Sequence, residues 1–216
     1  MPRIVDLGKR DQALNNVFLI IGEGLCSNIY VIGINKSTII DTGVGNRSNP
    51  VWPQLNEIGV GPANVDKIAL THAHHDHAMG TFIILQKADP TVYVHEKDTR
   101  YIASQMGENL VKVNEGDIIE TEKWPLHVYW TPGHTEGGMC LYNPENKILF
   151  SGDTVFPGGN FGRFDGESGS YRKILNSLKK IKDLDVEILL AGHGNPIVGG
   201  ANDHLERAYR NASNWG

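Results

Sequence analysis

Histidine and aspartate crowd four short segments of this chain. THAHHDHAMG carries His72, His74, Asp76 and His77, TPGHTEGG carries His134, FSGDTVF carries Asp153, and LAGHGNP carries His193. Imidazole and carboxylate are the donors that first-row divalent ions prefer, zinc and iron above all. Seven such groups exceed the needs of one tetrahedral ion. Shared between two ions, with one carboxylate bridging, they leave room for a water that both metals ionise. That chemistry makes a hydrolase the first expectation.

A histidine-rich turn can also be a solvated surface feature. Against that reading stand three further His or Asp positions, each directly after a predicted strand or at a glycine-flanked turn. Within HAHHDH, His72, His74 and Asp76 alternate, which in an extended segment puts them on one side, while His77 turns with the chain into the next helix.

The elements that must position these groups show as buried runs. NNVFLII (15–21), SNIYVIG (27–33) and STIID (37–41) read as strands, with a break at GEG (22–24) and a turn at Asn35-Lys36. A helix is expected from Pro50 to Ile58, capped by Asn49 and stopped by Gly59. VDKIALTH (65–72) is a buried strand ending at His72; a helix over 76–87 and the strand TVYVHE (91–96) follow. Residues 97–106 suggest a short helix and 107–116 a loop. DIIET, LHVYW, MCLYN and KILFSG are then strands. Tyr171, Ile174, Leu175, Leu178 and Ile181 lie on one helical stripe and place an amphipathic helix over 170–182. VEILLAGH (186–193) is a last buried strand and 201–212 a closing helix. The stretch 157–170 (PGGNFGRFDGESGS) reads as a long loop, a length that often carries function.

A faint repeat runs through the pattern. STIIDTG and ILFSGDT are both strands ending in Asp-Thr, each followed by a helix and then by a strand ending in histidine. The spacings are 112 residues from Asp41 to Asp153 and 121 from His72 to His193. Repeated halves would bring both sets of strand ends to a shared edge of two packed sheets.

Composition narrows the setting. The 216 residues fit one domain spanning 1–216, with 40% hydrophobic and 21% charged residues, values ordinary for a globular protein. A net charge of −5 and a pI near 6 supply no basic face for nucleic acid. No apolar run reaches the length of a membrane span, and the start, MPRIVDLGKRDQ, lacks the apolar segment of a secretory signal, so a cytoplasmic location is expected. Cys26 and Cys140 are too few for a disulfide framework and read as buried thiols.

HxHxDH, then TPGHT, GDT and GHG in that order, resembles the metallo-β-lactamase-fold hydrolases, and within them most closely the glyoxalase II (hydroxyacylglutathione hydrolase) group. The resemblance covers about residues 15–200. It implies an α/β fold, a four-layer αββα sandwich with two divalent metal ions at one edge of the sheets, zinc first, with iron or manganese as alternatives. It further implies that His72, His74 and His134 hold one metal, that Asp76, His77 and His193 hold the other, and that Asp153 bridges. His75 falls at a variable position and is read as no ligand. Asp41 matches a supporting Asp-Thr-Gly turn behind the ligands. His95, His127 and His204 match no motif.

The implied activity is cleavage of a thioester, ester or lactone by metal-bound hydroxide, oriented by Asp76, on a small-molecule acyl substrate. Glyoxalase II proper continues into a helical domain that helps bind glutathione, whereas this chain ends about 23 residues after His193. The metal chemistry is therefore expected to carry over and the glutathione specificity is not. The loop segment Gly162 to Gly166 (GRFDG) resembles its counterpart in that group, so Arg163 is a candidate for an anionic substrate, or alternatively an ion-pair partner of Asp165. Competing readings are a mononuclear-iron persulfide dioxygenase, against which His193 speaks, and a phosphodiesterase, against which the acidic balance speaks. A true β-lactamase usually lacks the bridging aspartate. The motifs leave open the exact substrate and the oligomeric state.

Overall fold

Alternating burial on both faces of the strands dictates a layered architecture. In this computed structural model, residues 3–215 are described; Met1, Pro2 and Gly216, at the ends of the expected 1–216 domain, lie outside the described residues. The first sheet contains β1 (Ile4–Asp6), β2 (Val17–Ile20), β3 (Ile29–Ile32), β4 (Ser37–Ile40), β5 (Val65–Ala69), β6 (Thr91–His95) and β7 (Leu110–Val113), in that spatial order. It is antiparallel as far as β4 and parallel from β4 to β7.

The second sheet is made of β8 (Ile118–Ile119), β9 (Leu126–Trp130), β10 (Met139–Asn143) and β11 (Ile148–Gly152). After a small ribbon of β12 (Val155–Phe156) and β13 (Asn160–Phe161), it is completed by β14 (Ile188–Ala191) and β15 (Ile197–Val198), giving the order β15-β14-β11-β10-β9-β8. Among its hydrogen-bonded neighbours, β11 and β14 are the one parallel pair. The helices are α1 (Val51–Ile58), α2 (His75–Ala78), α3 (Gly80–Leu85), α4 (Ala103–Met106), α5 (Tyr171–Ile181) and α6 (Asn202–Ser213).

Side chains that alternate along a strand feed different layers. Tyr30, Ile32 and Ile40 meet Val128, Leu141, Phe150 and Leu190 between the two sheets. Their neighbours Val31 and Ile39 face outward onto Trp52 and Leu55 of α1 and Ile84 of α3. On the far side Leu149 and Leu189 pack against Ile174 and Leu178 of α5 and Leu205 of α6. Three apolar layers between four tiers of structure make the expected αββα sandwich.

The repeat is structural too. Each sheet contains a strand, a helix and a parallel return strand: β4, α1 and β5 in one, β11, α5 and β14 in the other. Because β9, β11 and β14 run in the same direction, their C-terminal ends lie on one edge, and the chain leaves β5 toward that edge as well.

Several local expectations need correction. The helix expected over 76–87 breaks into α2 and α3 because the Gly80 N–H donates to Gly43 O (2.9 Å), a tertiary partner. Asp76 therefore sits in a helical turn, with His74 as its cap, and does not continue an extended run from His72. Asn49 does not cap α1; Pro50 occupies that place, and the Asn49 side chain instead bonds Glu23 N and O. Gly59 does end α1, at φ 94°, in the left-handed region that favours glycine. Residues 110–113, expected in a loop, form β7, paired in parallel with β6. The long loop after Phe156 begins with a tight turn and β13, so its irregular part is 162–170.

Phe150 locks the sheets together: it is fully buried and its ring meets Tyr30 edge-on at 5.4 Å. Phe150→Ala is expected to destabilise the fold by about 3–5 kcal/mol through lost burial and a residual cavity. Urea unfolding of the variant checks this, and a loss below about 1 kcal/mol would contradict the interlock.

Candidate metal centre

All seven expected donors meet at the sheet edge where β5, β9, β11 and β14 end. His72 Nε2 lies 3.1 Å from His74 Nδ1, which lies 2.9 Å from His134 Nε2. On the other side His193 Nε2 is 3.3 Å and His77 Nε2 3.7 Å from Asp76 Oδ2. Asp153 stands between: its Oδ2 is 3.4 Å from His134 Nε2, while its Oδ1 is 3.2 Å from His77 Nε2 and 3.7 Å from His193 Nε2. Donor atoms fall within 4.8 Å of one another in three sets, His72/His74/His134, His72/His77/Asp153 and Asp76/His77/His193.

The second nitrogen of each ring is spoken for where it is buried, and this sets which nitrogen faces the centre. His77 Nδ1 donates to Asp41 Oδ2 at 2.8 Å. His134 Nδ1 donates to the carbonyl of Arg163 at 2.8 Å. His72 Nδ1 reaches Thr71 Oγ1 at 3.2 Å, and that hydroxyl donates onward to Asp41 Oδ2 at 2.8 Å. Asp41 also accepts from Thr71 N through Oδ1 (2.8 Å). Its backbone adopts φ 56°, a left-handed conformation that Asp tolerates better than most residues. Asp41 thus stands behind the cluster and belongs to none of the three donor sets.

Burial and mutual charge set the protonation states. Burial, reinforced by the neighbouring histidines, pushes His72 well below the ordinary imidazole range, so it is neutral, the form that ligates. Burial and His134 lower His74 likewise. Burial opposes charge on His77, but Asp153 and Asp41 outweigh it and raise the group well above its usual value. Burial would also raise Asp153, yet His77, His134 and His193 hold it down to about 2. Asp76 is ionised as well, because the hydrogen bond from His193 and the charge of His77 overcome its desolvation.

Two observations test whether a cation fits. Buried His77 Nε2 and Asp153 Oδ1 stand 3.2 Å apart without hydrogen-bond geometry, and neither has another hydrogen-bond partner. The space they face is also kept clear by the backbone: a Cβ on Gly192 would stand 2.4 Å from Asp153 Oδ1 and 2.7 Å from His77 Cε1. A buried carboxylate and the imidazoles around it, facing a gap held open in this way, fit one or more divalent ions, which would take the place of the proton on His77.

The centre forms the floor of a cavity of about 860 Å³. Leu25, Val44, Phe156 and Phe161 give it apolar walls, and Asp76, His134, Asp153 and His193 line its polar floor. Arg163 is also on the wall, but its guanidinium pairs with both oxygens of Asp165 (3.0 Å each). His75 is exposed at the rim. His95 stacks on Trp130 and His204 Nδ1 accepts from Gly158 N; His127 lies on β9. None of the three joins a donor set. Sequence reasoning missed Thr71 and Gly192, although each adjoins a ligand-type histidine, and that adjacency was the available signal.

Comparison with known proteins follows the same lines. The family model of the metallo-β-lactamase superfamily matches residues 22–193. An acyl-coenzyme A thioesterase of Gallus gallus is 31% identical, over 89% of this chain and 79% of that protein. A hydroxyacylglutathione hydrolase of Crocosphaera subtropica is 31% identical over 69% of this chain, and the aligned part spans just 56% of that relative. Among solved structures, a metallo-β-lactamase family protein from Thermus thermophilus superposes with a TM-score of 0.76 at 21% identity, over 91% of this chain and 78% of that one. The four ordered His/Asp motifs, the αββα layers and this match over most of the length agree, and the chain belongs to the metallo-β-lactamase superfamily.

Proposed function

We propose that this chain is a hydrolase that uses two divalent metal ions to cleave thioesters, and related esters or lactones, of small acyl substrates. The observation that carries this reading is the position of Asp153, which presents one carboxylate oxygen to each half of the donor cluster. His72, His74 and His134 would hold one ion, and Asp76, His77 and His193 the other, with Asp153 common to both. Zinc suits imidazole mixed with carboxylate best, iron and manganese being the alternatives. When bound, such ions supply Lewis acidity and lower the pKa of water to about 7.

The chain's own groups account for the rest of the reaction. Water adds to the acyl carbon, the C–S or C–O bond breaks, and the thiol or alcohol leaves with a proton. Ionised Asp76, on the floor of the cavity, accepts a hydrogen bond from the attacking water and so aims its lone pair. Leu25, Val44, Phe156 and Phe161 take up the apolar part of the substrate and keep bulk water from it. Burial pushes the Cys26 thiol up, away from the thiolate a nucleophile would need, so Cys26 does not compete with water for the acyl carbon. The relatives named as an acyl-coenzyme A thioesterase and a hydroxyacylglutathione hydrolase both point to acyl–sulfur bonds. A phosphodiester fits less well, since Arg163, the one Lys or Arg lining the cavity among the described residues, is already matched by Asp165.

Removing the shared carboxylate separates its role from that of Asp41. Asp153→Ala is expected to leave one zinc ion or none per chain after reconstitution and dialysis, and to abolish hydrolysis. Asp41→Ala is expected to retain the ligand set but to weaken zinc binding by about 10–100-fold. Equal and complete metal loss in both variants would contradict this division.

Substrate preference follows from the walls. With few fixed polar contacts to reject analogues, kcat/KM for thioesters differing only in the thiol carrier is expected to vary by no more than about 10-fold. Steady-state rates on the metal-replete enzyme check this with S-lactoylglutathione beside simpler thioesters. A strong preference for the glutathione conjugate would contradict the carrier reading, and turnover of phosphodiesters alone would overturn the acyl reading.

A further inference from the structure

A buried carboxylate outside the donor cluster links the two loops that carry its three-histidine half. Asp98 lies in the helical turn Glu96–Tyr101 that follows β6 and is fully buried. Its Oδ2 accepts from Ala73 N at 3.0 Å and from Thr135 Oγ1 at 2.9 Å, and its Oδ1 accepts from Gly137 N at 2.7 Å. Ala73 sits between His72 and His74, and Thr135 directly follows His134. The three bonds therefore join the loop after β5 to the loop between β9 and β10, which come from different sheets.

The fit around Asp98 is close. A Cβ on Gly137 would stand 2.6 Å from Asp98 N and Oδ1, so no larger residue fits there without displacing the carboxylate. Thr135 is itself buried, which makes its hydroxyl a fixed donor. Hydrogen bonds to an ionised acceptor are worth roughly twice neutral ones, and here one carboxylate collects three.

We propose that Asp98 is a positioning residue: by clamping the His72–His74 loop to the His134 loop it sets the metal affinity of the three-histidine half. It touches none of the donor atoms and acts through the backbone beside them. Held in this way, His74 Nδ1 and His134 Nε2 stay 2.9 Å apart, within hydrogen-bond reach of each other and close enough to face one ion. The clamp keeps that spacing in the metal-free protein, so a cation meets donors already in place.

This inference rests on the two-metal reading, and the experiment separates the two. Zinc affinity and stoichiometry are measured by chelator competition on metal-free wild type, Thr135→Val, Thr135→Ser and Asp98→Asn, with melting of each metal-free protein recorded alongside. Thr135→Val removes one arm of the clamp while keeping the side-chain shape. It is expected to weaken one of two zinc equivalents by about 10-fold or more, out of proportion to a modest fall in metal-free melting, and Thr135→Ser is expected to restore it. Asp98→Asn, which places an amide N–H against a donor, is expected to lose that equivalent more completely. Wild-type zinc affinity in Thr135→Val, whether or not Asp98→Asn folds, overturns the clamp, as does a loss that follows metal-free melting. Failure of wild type to bind zinc, iron or manganese at all would instead overturn the metal reading.

Discussion

The crowding of seven ligand-type side chains into one sheet edge is the constraint on which this structure turns. Five imidazoles and two carboxylates bring their nitrogen and oxygen atoms within 2.9–3.7 Å of one another, in a place where His77 and Asp153 are nearly closed to solvent. Water would separate such groups if the backbone were free to move. The ends of four strands do not allow it, because ladder bonds hold the chain up to the ligand and tertiary bonds hold it beyond. Asn28 N bonds Gly192 O, Gly192 N bonds Gly152 O, and Thr42 N bonds His77 O, so the loops that carry the ligands are stitched to each other. The apolar layers supply the free energy that makes this rigidity possible.

The carboxylates are distributed unevenly behind the donors. His77 is backed by Asp41, whereas His134 is backed by a neutral carbonyl and His72 by a hydroxyl that passes its hydrogen bond to Asp41. Asp76 adds a further negative charge on the His77 side. The His77–His193 half therefore has the stronger field for a cation, and the three-histidine half depends more on geometry. On the proposed acyl-hydrolase reading, this asymmetry suits a division of labour in which Asp76 would aim the water on one side and the carbonyl of the substrate would be polarised across the centre.

Sequence and structure agree where the determinants are local. The strands β4, β5, β11 and β14 show through short apolar runs (39–40, 68–70, 148–150 and 188–191) because helices cover them outside and the opposite sheet covers them inside. The amphipathic stripe of α5 is equally plain. By contrast β7 has a single buried residue in LVKV, so nothing in its composition distinguishes it from the loop around it; pairing with β6 makes it a strand. The break between α2 and α3 was invisible for a related reason, since the bond from Gly80 to Gly43 spans the fold. The donors were legible from residue type and their place after apolar runs. Asp98 was not: its three contacts lie 25, 37 and 39 residues away, and a lone aspartate after a strand carries no local mark of them.

The repeated strand–helix–strand halves have a consequence for the order of events as the chain is made. His72, His74, Asp76 and His77 leave the ribosome within the first half of the sequence, while Asp153 and His193 come from the second half. Until β11 and β14 have zipped together, the early histidines have no shared carboxylate and no Gly192 backing, and any ion they catch sits in an open, exchangeable shell. Closure of the second sheet turns that loose capture into retention. An ion bound here would thus meet the full donor set only in a chain whose second half has docked.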